Sequence, residues 1–463
     1  MTRRMIGLAL VTALFCLPVM SFAVNDGSSA TSTSPPHSNS NSSNSNSSSS
    51  SWKELKKVVV VGGTHGNEYT GVWCIKALDR ALDRIHSTYP SLVVSTLLGN
   101  PKAHLENKRF VDEDLNRQFT REALLLANNY KYMDADTTTM GSDSHMDMNT
   151  DTDTRPHELV RALEIDQHLG PKFGTTSHEQ EEDGSIGTVA STHVVIDLHS
   201  TTSNMGLTII VAEGDAIMTR AAAYVRQKCI EAGHVVHCIL HTHANRDVRP
   251  NLSSTGRHGF TIEVGPVPQG VLRHDAVEKT ESAIHALFEY LHLHNTDRSL
   301  LQEELERVYA RGSGASGGQE VGFGRVPCFR SAKAKNKGEM SSKIQWPSAS
   351  DNPNFPALMV HKQLQDQDFT LIETGDALFV DLDGNVIPYD GSHGSPIYLM
   401  FVNEGGYYYA SSGTGISVAV KAEYDLESGM LIEEEEEEEG SVQVNTKEYA
   451  FTGAGGEASD QEL

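Results

Sequence analysis

Apolar, β-branched runs at Val58–Val61, Leu92–Leu98, Val194–Leu198, Leu207–Ala212, Val235–Leu240 and Thr261–Val264 read as strands, because such side chains suit a pleated, buried surface. Between several of them the spacing lengthens to the helical period. Val72, Ile75, Leu78, Leu82 and Ile85 recur at three- and four-residue steps and make one apolar stripe, and Gly214–Ala232 and Asp275–His294 behave alike. Strands alternating with helices predict an α/β fold, a mostly parallel sheet flanked by helices on both faces. From about Leu300 the pattern changes to short strands and turns, such as Ala377–Asp381, Asp383-Gly384-Asn385 and Tyr398–Val402, and predicts a smaller β-rich C-terminal domain.

Composition divides the 463 residues further. Met1-Thr2-Arg3-Arg4, the apolar run Met5–Ala23 and the exit Ser21-Phe22-Ala23 have the form of a secretory signal, so residues 1–23 are expected to be removed and the protein secreted or lumenal. The rival is an uncleaved anchor, against which Pro18 and Ser21 weigh; only then is a membrane a partner. Residues 24–51, almost wholly Ser, Asn, Thr and Gly, hold too little apolar surface to fold and read as a linker. An α/β domain at 52–299 then carries insertions at 134–155 and 174–187, with His145 solvated in the first. A β-rich domain at 300–430 carries an insertion at 312–350, and an acidic tail at 431–463 opens with Glu433–Glu439 and reads as disordered. The formal net charge of -25 has no basic stripe to offset it, which argues against a nucleic-acid partner. Cys16 lies in the signal segment; Cys74, Cys229, Cys238 and Cys328 remain as two disulfides or as free buried thiols.

The candidate chemistry sits where strands end. Gly62-Gly63-Thr64-His65-Gly66-Asn67-Glu68-Tyr69-Thr70-Gly71 follows the first strand and sets a histidine and a carboxylate three positions apart. Imidazole and carboxylate suit zinc, and a hydrolytic zinc site takes three protein ligands and leaves one position open. His199, closing Val194-Val195-Ile196-Asp197-Leu198-His199, is the third candidate ligand, since open α/β sheets gather their sites at the carboxyl ends of strands. Asp197, on the same strand face, is placed to orient a ligand. Glu263 stands inside the apolar Phe260–Val264; it is either paired with an arginine or is a general base. Arg109, Asn116 and Arg117 lie in Lys108–Arg117, where guanidinium groups near a metal suit an anionic substrate and a developing oxyanion.

Together these segments resemble the aspartoacylase family, which groups with the succinylglutamate desuccinylases and is related to the zinc carboxypeptidases. The resemblance covers about residues 56–133, 156–172, 192–300 and 354–410, and rests on Gly63-Thr64-His65-Gly66-Asn67-Glu68, Asp114-Leu115-Asn116-Arg117, Asp197-Leu198-His199 with Thr201–Gly206, Glu263-Val264-Gly265-Pro266 with Pro268–Val271, and Phe401–Tyr408. It implies a zinc-carboxypeptidase-like fold and zinc-dependent hydrolysis of N-acyl-L-amino acids, acetylaspartate among them. One zinc per chain would be held by His65, Glu68 and His199, with Glu263 as base and Arg109 polarising the acyl carbonyl. Asn116 and Arg117 would bind the carboxylate of a small anionic substrate, with Tyr407 reaching in from the second domain. A homodimer is left open.

Two departures bear on specificity. Family members selective for acetylaspartate carry an arginine ten residues before the catalytic glutamate, where this chain has Ser253, and a lysine four after the tyrosine, where it has Ser411. Arg249 and Arg257, in the loop Asn245–His258, are possible substitutes. The alternatives are thus an aminoacylase of wider or aromatic range, and, in another class, a secreted acidic binding protein on a spent hydrolase fold.

Overall fold

Val58 and Val60 face one side of the first strand and Val59 and Val61 the other, and all four are buried, so β1 (Lys57–Gly62) needs a sheet covered on both faces. In the computed structural model β1 runs parallel to β2 (Val93–Leu98) on one side and β3 (Val194–Ser200) on the other, and β3 runs parallel to β6 (His258–Gly265). The wholly parallel arrangement ends there. Only residues 201–205 separate β3 from β4 (Gly206–Ala212), too few for a crossover, and β4 returns antiparallel on the far side of β6. β5 (Val236–His241) runs parallel to β4.

Each strand and helix expected from the apolar pattern is present. Helices α1 (Tyr69–Thr88), α5 (Ala216–Glu231), α6 (His274–Thr296) and α7 (Arg298–Tyr309) bury their stripes against one sheet face, with Val58, Val60, Ile196 and Leu198. On the other face α3 (Arg121–Thr137) and α4 (His157–Leu169) pack with Val59, Val61 and Val195, beside the short α2 (Pro101–Leu105).

Beyond β5 the same sheet continues through β7 (Arg325–Ser331), β14 (Ile416–Asp425), β13 (Ile397–Met400) and β10 (Leu371–Ile372), with β8 (Lys343–Ile344) beside β14. β9 (Leu358–Val360), β11 (Ala377–Asp381) and β12 (Val386–Pro388) form a separate antiparallel sheet. The stretch 312–350, read as an insertion, therefore contains β7 and β8. Pro327 and the charged Arg325 and Arg330 obscure the apolar Val326 and Cys328 that β7 buries.

The structure describes residues 54–137, 156–173, 190–242, 245–309, 324–332, 342–345, 355–409 and 415–432, all within one compact unit. The signal segment 1–23 with Cys16, the linker 24–51, the insertion 174–187, most of 134–155 with His145, Ser411 and Glu433–Glu439 lie outside the described residues. Of the two readings of Cys74, Cys229, Cys238 and Cys328, the structure has free, buried thiols. Among the described residues no helix is long and apolar enough to cross a membrane.

Candidate functional site

The carboxyl ends of β1, β3 and β6 open into one cavity of about 340 Å³, and His65, Glu68, Arg109, Asn116, Arg117, His199, Glu263 and Tyr407 all line it. The turn after β1 delivers the first two. Gly63 takes φ +70°, and a side chain on Gly62 would run into the backbone of Gly71, so both positions need glycine for the chain to bend back into α1. His65 and Glu68 then fall on either side of the turn that starts the helix.

The three buried side chains present their donors to a common point. His65 Nδ1 lies 2.5 Å from Glu68 Oε1, His199 Nδ1 lies 3.1 Å from Glu68 Oε2, and the two Nδ1 atoms are 3.2 Å apart. Ligands about 2.0–2.1 Å from a tetrahedral zinc are roughly 3.3 Å from one another. Two of the three separations approach that spacing, and the donor set suits one such ion; among the described residues these three side chains form a group that could hold a metal. Each imidazole is turned by its other nitrogen: His65 Nε2 donates to Asp114 Oδ1 at 3.2 Å, and His199 Nε2 to Asp197 Oδ2 at 2.9 Å. A carboxylate behind a histidine fixes its tautomer and leaves Nδ1 free to ligate. Thr64 Oγ1 in turn donates to Asp197 Oδ1 at 2.6 Å.

The electrostatics call for a cation at that point. Burial by itself would lower the His199 pKa, but Asp197 and Glu68 outweigh it and raise it well above the ordinary imidazole value. Burial would raise Glu68 and Asp114, yet His65 with His199 holds the first, and His65 with Arg109 the second, far below the usual carboxylate range. Glu263 behaves in the opposite way. Burial, seconded by Glu68 and Glu404, pushes its carboxyl well above the ordinary value, and His199 and Arg109 only partly offset this. It stands directly across from His199 in the β3–β6 register, so a raised carboxyl lies beside two depressed ones.

Arg109 is buried against the cluster, with Nη1 donating to Glu68 Oε1 at 3.2 Å, Nη2 to Asp114 Oδ2 at 3.5 Å and Nε without a hydrogen-bond partner among the described residues. Asn116 and Arg117 sit on a short 3₁₀ turn, Leu115–Arg117, whose start is capped by the Asp114 carboxylate. Asn116 Oδ1 accepts from Leu252 N, which ties this turn to the loop before β6. Tyr407 enters from the C-terminal region, its hydroxyl 2.9 Å from Ser417 Oγ and its ring beneath Lys343 Nζ; burial pushes the phenol up to about 12.

Two contributors carried no assigned role in the sequence. Asp114 stood in the motif Asp114-Leu115-Asn116-Arg117 without a role of its own. Glu404 is buried, accepts from Thr202 N at 2.9 Å and Gly406 N at 2.7 Å and from Thr201 Oγ1, and lies 3.8 Å from Arg109 Nη1. It fastens the C-terminal region to the turn after β3. Its partners Thr201 and Thr202 lie some two hundred residues away, and no spacing rule reaches that far. Of the residues weighed for specificity, Ser253 is buried and hydrogen-bonded to Asn251 and Thr261 rather than open to the cavity. Arg257 donates to Ala190 O, away from the site, whereas Arg249 lines the cavity.

The profile of the succinylglutamate desuccinylase/aspartoacylase catalytic domain matches residues 54–172 and 181–291, and that of the family's barrel-sandwich hybrid domain matches 339–416. A protein of Nostoc sp. named probable aspartoacylase is 30% identical over 355 residues, spanning 77% of this chain and 93% of the relative. An N-acyl-aromatic-L-amino acid amidohydrolase (carboxylate-forming) of Danio rerio is 30% identical over 352 residues, 76% of this chain and 89% of the relative. Murine aminoacylase 3 shares the fold, with a TM-score of 0.57 at 24% identity over 81% of this chain and 98% of that one. With the two domain profiles in their order along the chain, and relatives matched over nearly their full length, this protein belongs to the succinylglutamate desuccinylase/aspartoacylase family.

Proposed function

We propose that the protein hydrolyses the amide bond of N-acyl-L-amino acids with one zinc ion held by His65 Nδ1, Glu68 and His199 Nδ1. The observation that carries this reading is the shared cavity: a close cluster of three donors, a carboxyl raised by burial and a buried guanidinium face the same space. Zinc bound there supplies a Lewis acid and makes water acidic enough to react near neutral pH.

The remaining work falls to the chain's own groups. Glu263 takes the proton of the attacking water and returns it to the amine nitrogen as the C–N bond breaks, which a carboxyl with a raised pKa does better than an ordinary one. Arg109 donates to the acyl oxygen as negative charge develops on it, and because Glu68 and Asp114 already fix the guanidinium, little reorganisation is needed. Arg117, exposed at the cavity edge, and Asn116 hold the amino-acid carboxylate, and Tyr407 closes the pocket beside them. Asp197 acts through His199, which it orients, and Asp114 through His65 and Arg109.

The testing experiment measures zinc per chain together with amine release from acetyl and succinyl amino acids. About one zinc per chain with turnover is expected; stoichiometric zinc with no hydrolysis of any member overturns the reading and favours a binding protein on a hydrolase fold. A second reading, an aminoacylase for aromatic or other apolar side chains, draws support from Ile210, Val248, Pro250 and Phe401 on the cavity wall.

A further inference from the structure

Among the described residues, the side chains that the C-terminal region gives to the cavity are Phe401, Glu404 and Tyr407. All three stand on the segment 401–407, which leaves β13 and enters a 3₁₀ turn over Gly405–Tyr408. That segment starts under strain. Phe401 has φ +55° and Asn403 φ +57°, both in the left-handed region, which disfavours any residue with a Cβ and a bulky one most. Such a backbone persists only where its surroundings impose it, and it gathers at sites where geometry matters.

The loop between β9 and β10 imposes it here. Asp368 Oδ1 accepts from Val402 N at 2.9 Å, between the two left-handed residues, and Gln365 Oε1 accepts from Asn403 Nδ2 at 2.7 Å. The loop is itself left-handed at Asp366, φ +57°, and Phe369, φ +59°, so four of the five non-glycine residues with this backbone among the described residues fall in these two touching segments. On its other side the loop is anchored to the α/β domain. Asn204 Nδ2, in the turn after β3, donates to Asp366 O at 3.0 Å, and the Phe369 ring stacks on His237 of β5 with centroids 3.8 Å apart.

Asp368 gains little from this place on its own account. Its Oδ2 is out of water without a hydrogen-bond partner among the described residues. Burial pushes its carboxyl up to about 6, although the amides of Val402, Asn204 and Phe401 pull the other way. A carboxylate kept where burial disfavours it calls for a task. The chain beyond Val402 shows one: Asn403 O accepts from Thr202 Oγ1 at 2.8 Å, and Glu404 follows, 3.8 Å from Arg109 Nη1. A shift of the turn would carry Glu404 and Tyr407 with it.

We propose that Asp368, assisted by Gln365, is a positioning residue for the reaction. It holds the strained turn Phe401–Asn403 in the conformation that sets Glu404 beside Arg109 and Tyr407 in the cavity. Neither Asp368 nor Gln365 lines the cavity, so both act through that turn. The inference rests on the hydrolase reading for its effect on turnover, and on the contacts alone for its effect on the turn.

The test compares Asp368→Ala, which removes the acceptor, with Asp368→Asn, which keeps an oxygen in place of Oδ1, using the zinc-loaded full chain and the acyl amino acid that the wild type hydrolyses fastest. Asp368→Ala should lose about 10–100-fold in kcat, the order expected when a group around the reacting atoms is displaced. Zinc per chain should stay at the wild-type level, because the ligands hang from β1 and β3, and Asp368→Asn should recover most of the loss. A double-mutant cycle separates positioning from a merely structural role. Because Asp368 works through the turn that carries Glu404, Asp368→Ala should add little in a Glu404→Gln background, whereas independent effects multiply. Wild-type turnover in Asp368→Ala, an Asp368→Asn variant as impaired as Asp368→Ala, or fully multiplying effects overturns the inference.

Amide exchange supplies a readout without turnover. In Asp368→Ala the backbone amides of 401–407 should exchange about 10-fold faster than in the wild type, as expected for one lost buried hydrogen bond, and those of 62–69 at the wild-type rate. Equal exchange over 401–407 overturns the inference. Should Asp368→Ala not fold, Gln365→Ala, at an exposed position, takes both measurements with changes of about 3-fold in the same directions, and no change in either overturns it. If no acyl amino acid is hydrolysed while exchange over 401–407 still depends on Asp368, the hydrolase reading falls and the positioning contact stands; hydrolysis with turnover and exchange indifferent to Asp368 gives the reverse.

Discussion

The two ends of the cavity are built on different principles. At the metal-ligating end the side chains hang from strand ends and each has a partner: the histidines are turned by Asp114 and Asp197, and Glu68 by both histidines, Arg109 and Ser200 N. At the far wall a loop without regular strands carries Arg249, held by its backbone and, among the described residues, without a hydrogen-bond partner at its Nε. The first arrangement positions chemistry that does not change with the substrate. The second leaves a buried guanidinium on the cavity wall. A comparison of the two ends therefore separates side chains fixed by one another from a side chain fixed only through its backbone.

Changes at the metal-ligating end should have the largest effects. His199→Ala removes one of three donors and is expected to leave well under one zinc per chain and activity near background, checked by elemental analysis and amine release; stoichiometric zinc in that variant would remove His199 from the ligand set. Glu263→Gln should keep its zinc and lose on the order of 10²–10⁴-fold in kcat, and near-normal turnover would exclude Glu263 as the proton carrier. Asp197→Asn leaves the ligands in place but disturbs the tautomer of His199, so zinc affinity should weaken by about 10–100-fold, read by competition with a chelating dye.

Smaller effects test how the two ends are joined. Glu404→Gln replaces a buried acceptor for Thr201, Thr202 and Gly406 and should cost about 2–3 kcal/mol of unfolding free energy, with a fall in turnover because Arg109 loses a neighbouring charge; unaltered stability would show that the C-terminal region is fastened by other contacts. The acid side of the stability curve gives the smallest expected effect. Asp114 has a folded pKa depressed by His65 and Arg109 below the unfolded value, which is about 3.9. Its contribution is therefore present above about pH 4 and lost as pH falls through the folded pKa. Zinc-free Asp114→Asn should show a shallower loss of stability below pH 4 than the wild type, by roughly 1–2 kcal/mol; parallel curves would mean that the ion pair does not stabilise the fold.

Legibility in the sequence followed the same division. His65 and His199 were readable because a polar ligand directly after a β-branched run can lie only at a strand end, and Glu263 because a carboxylate inside a buried strand demands a reason. The parallel core β2-β1-β3-β6 came from the same alternation. β4 broke the pattern because the turn at residues 201–205 is too short for a crossover, and β7 was hidden among Gly, Ser and Lys. Glu404 and Asp114 gave no signal of their role, since each acts through a partner that only the fold brings near.

Local chemistry in the chain determined the strand ends and the candidate ligands and base, because donors for a metal and a carboxyl for proton transfer are properties of side chains and of the turns that carry them. Which carboxylate stands behind which histidine, and which arginine of the loop 245–257 faces the cavity, was decided only by tertiary structure. Arg249 and Arg257 are eight residues apart in one loop and chemically alike. One donates to a backbone carbonyl outside the site and the other is buried in the cavity wall. Sequence supplies both charges, but the packing of the loop decides which of them lines the cavity.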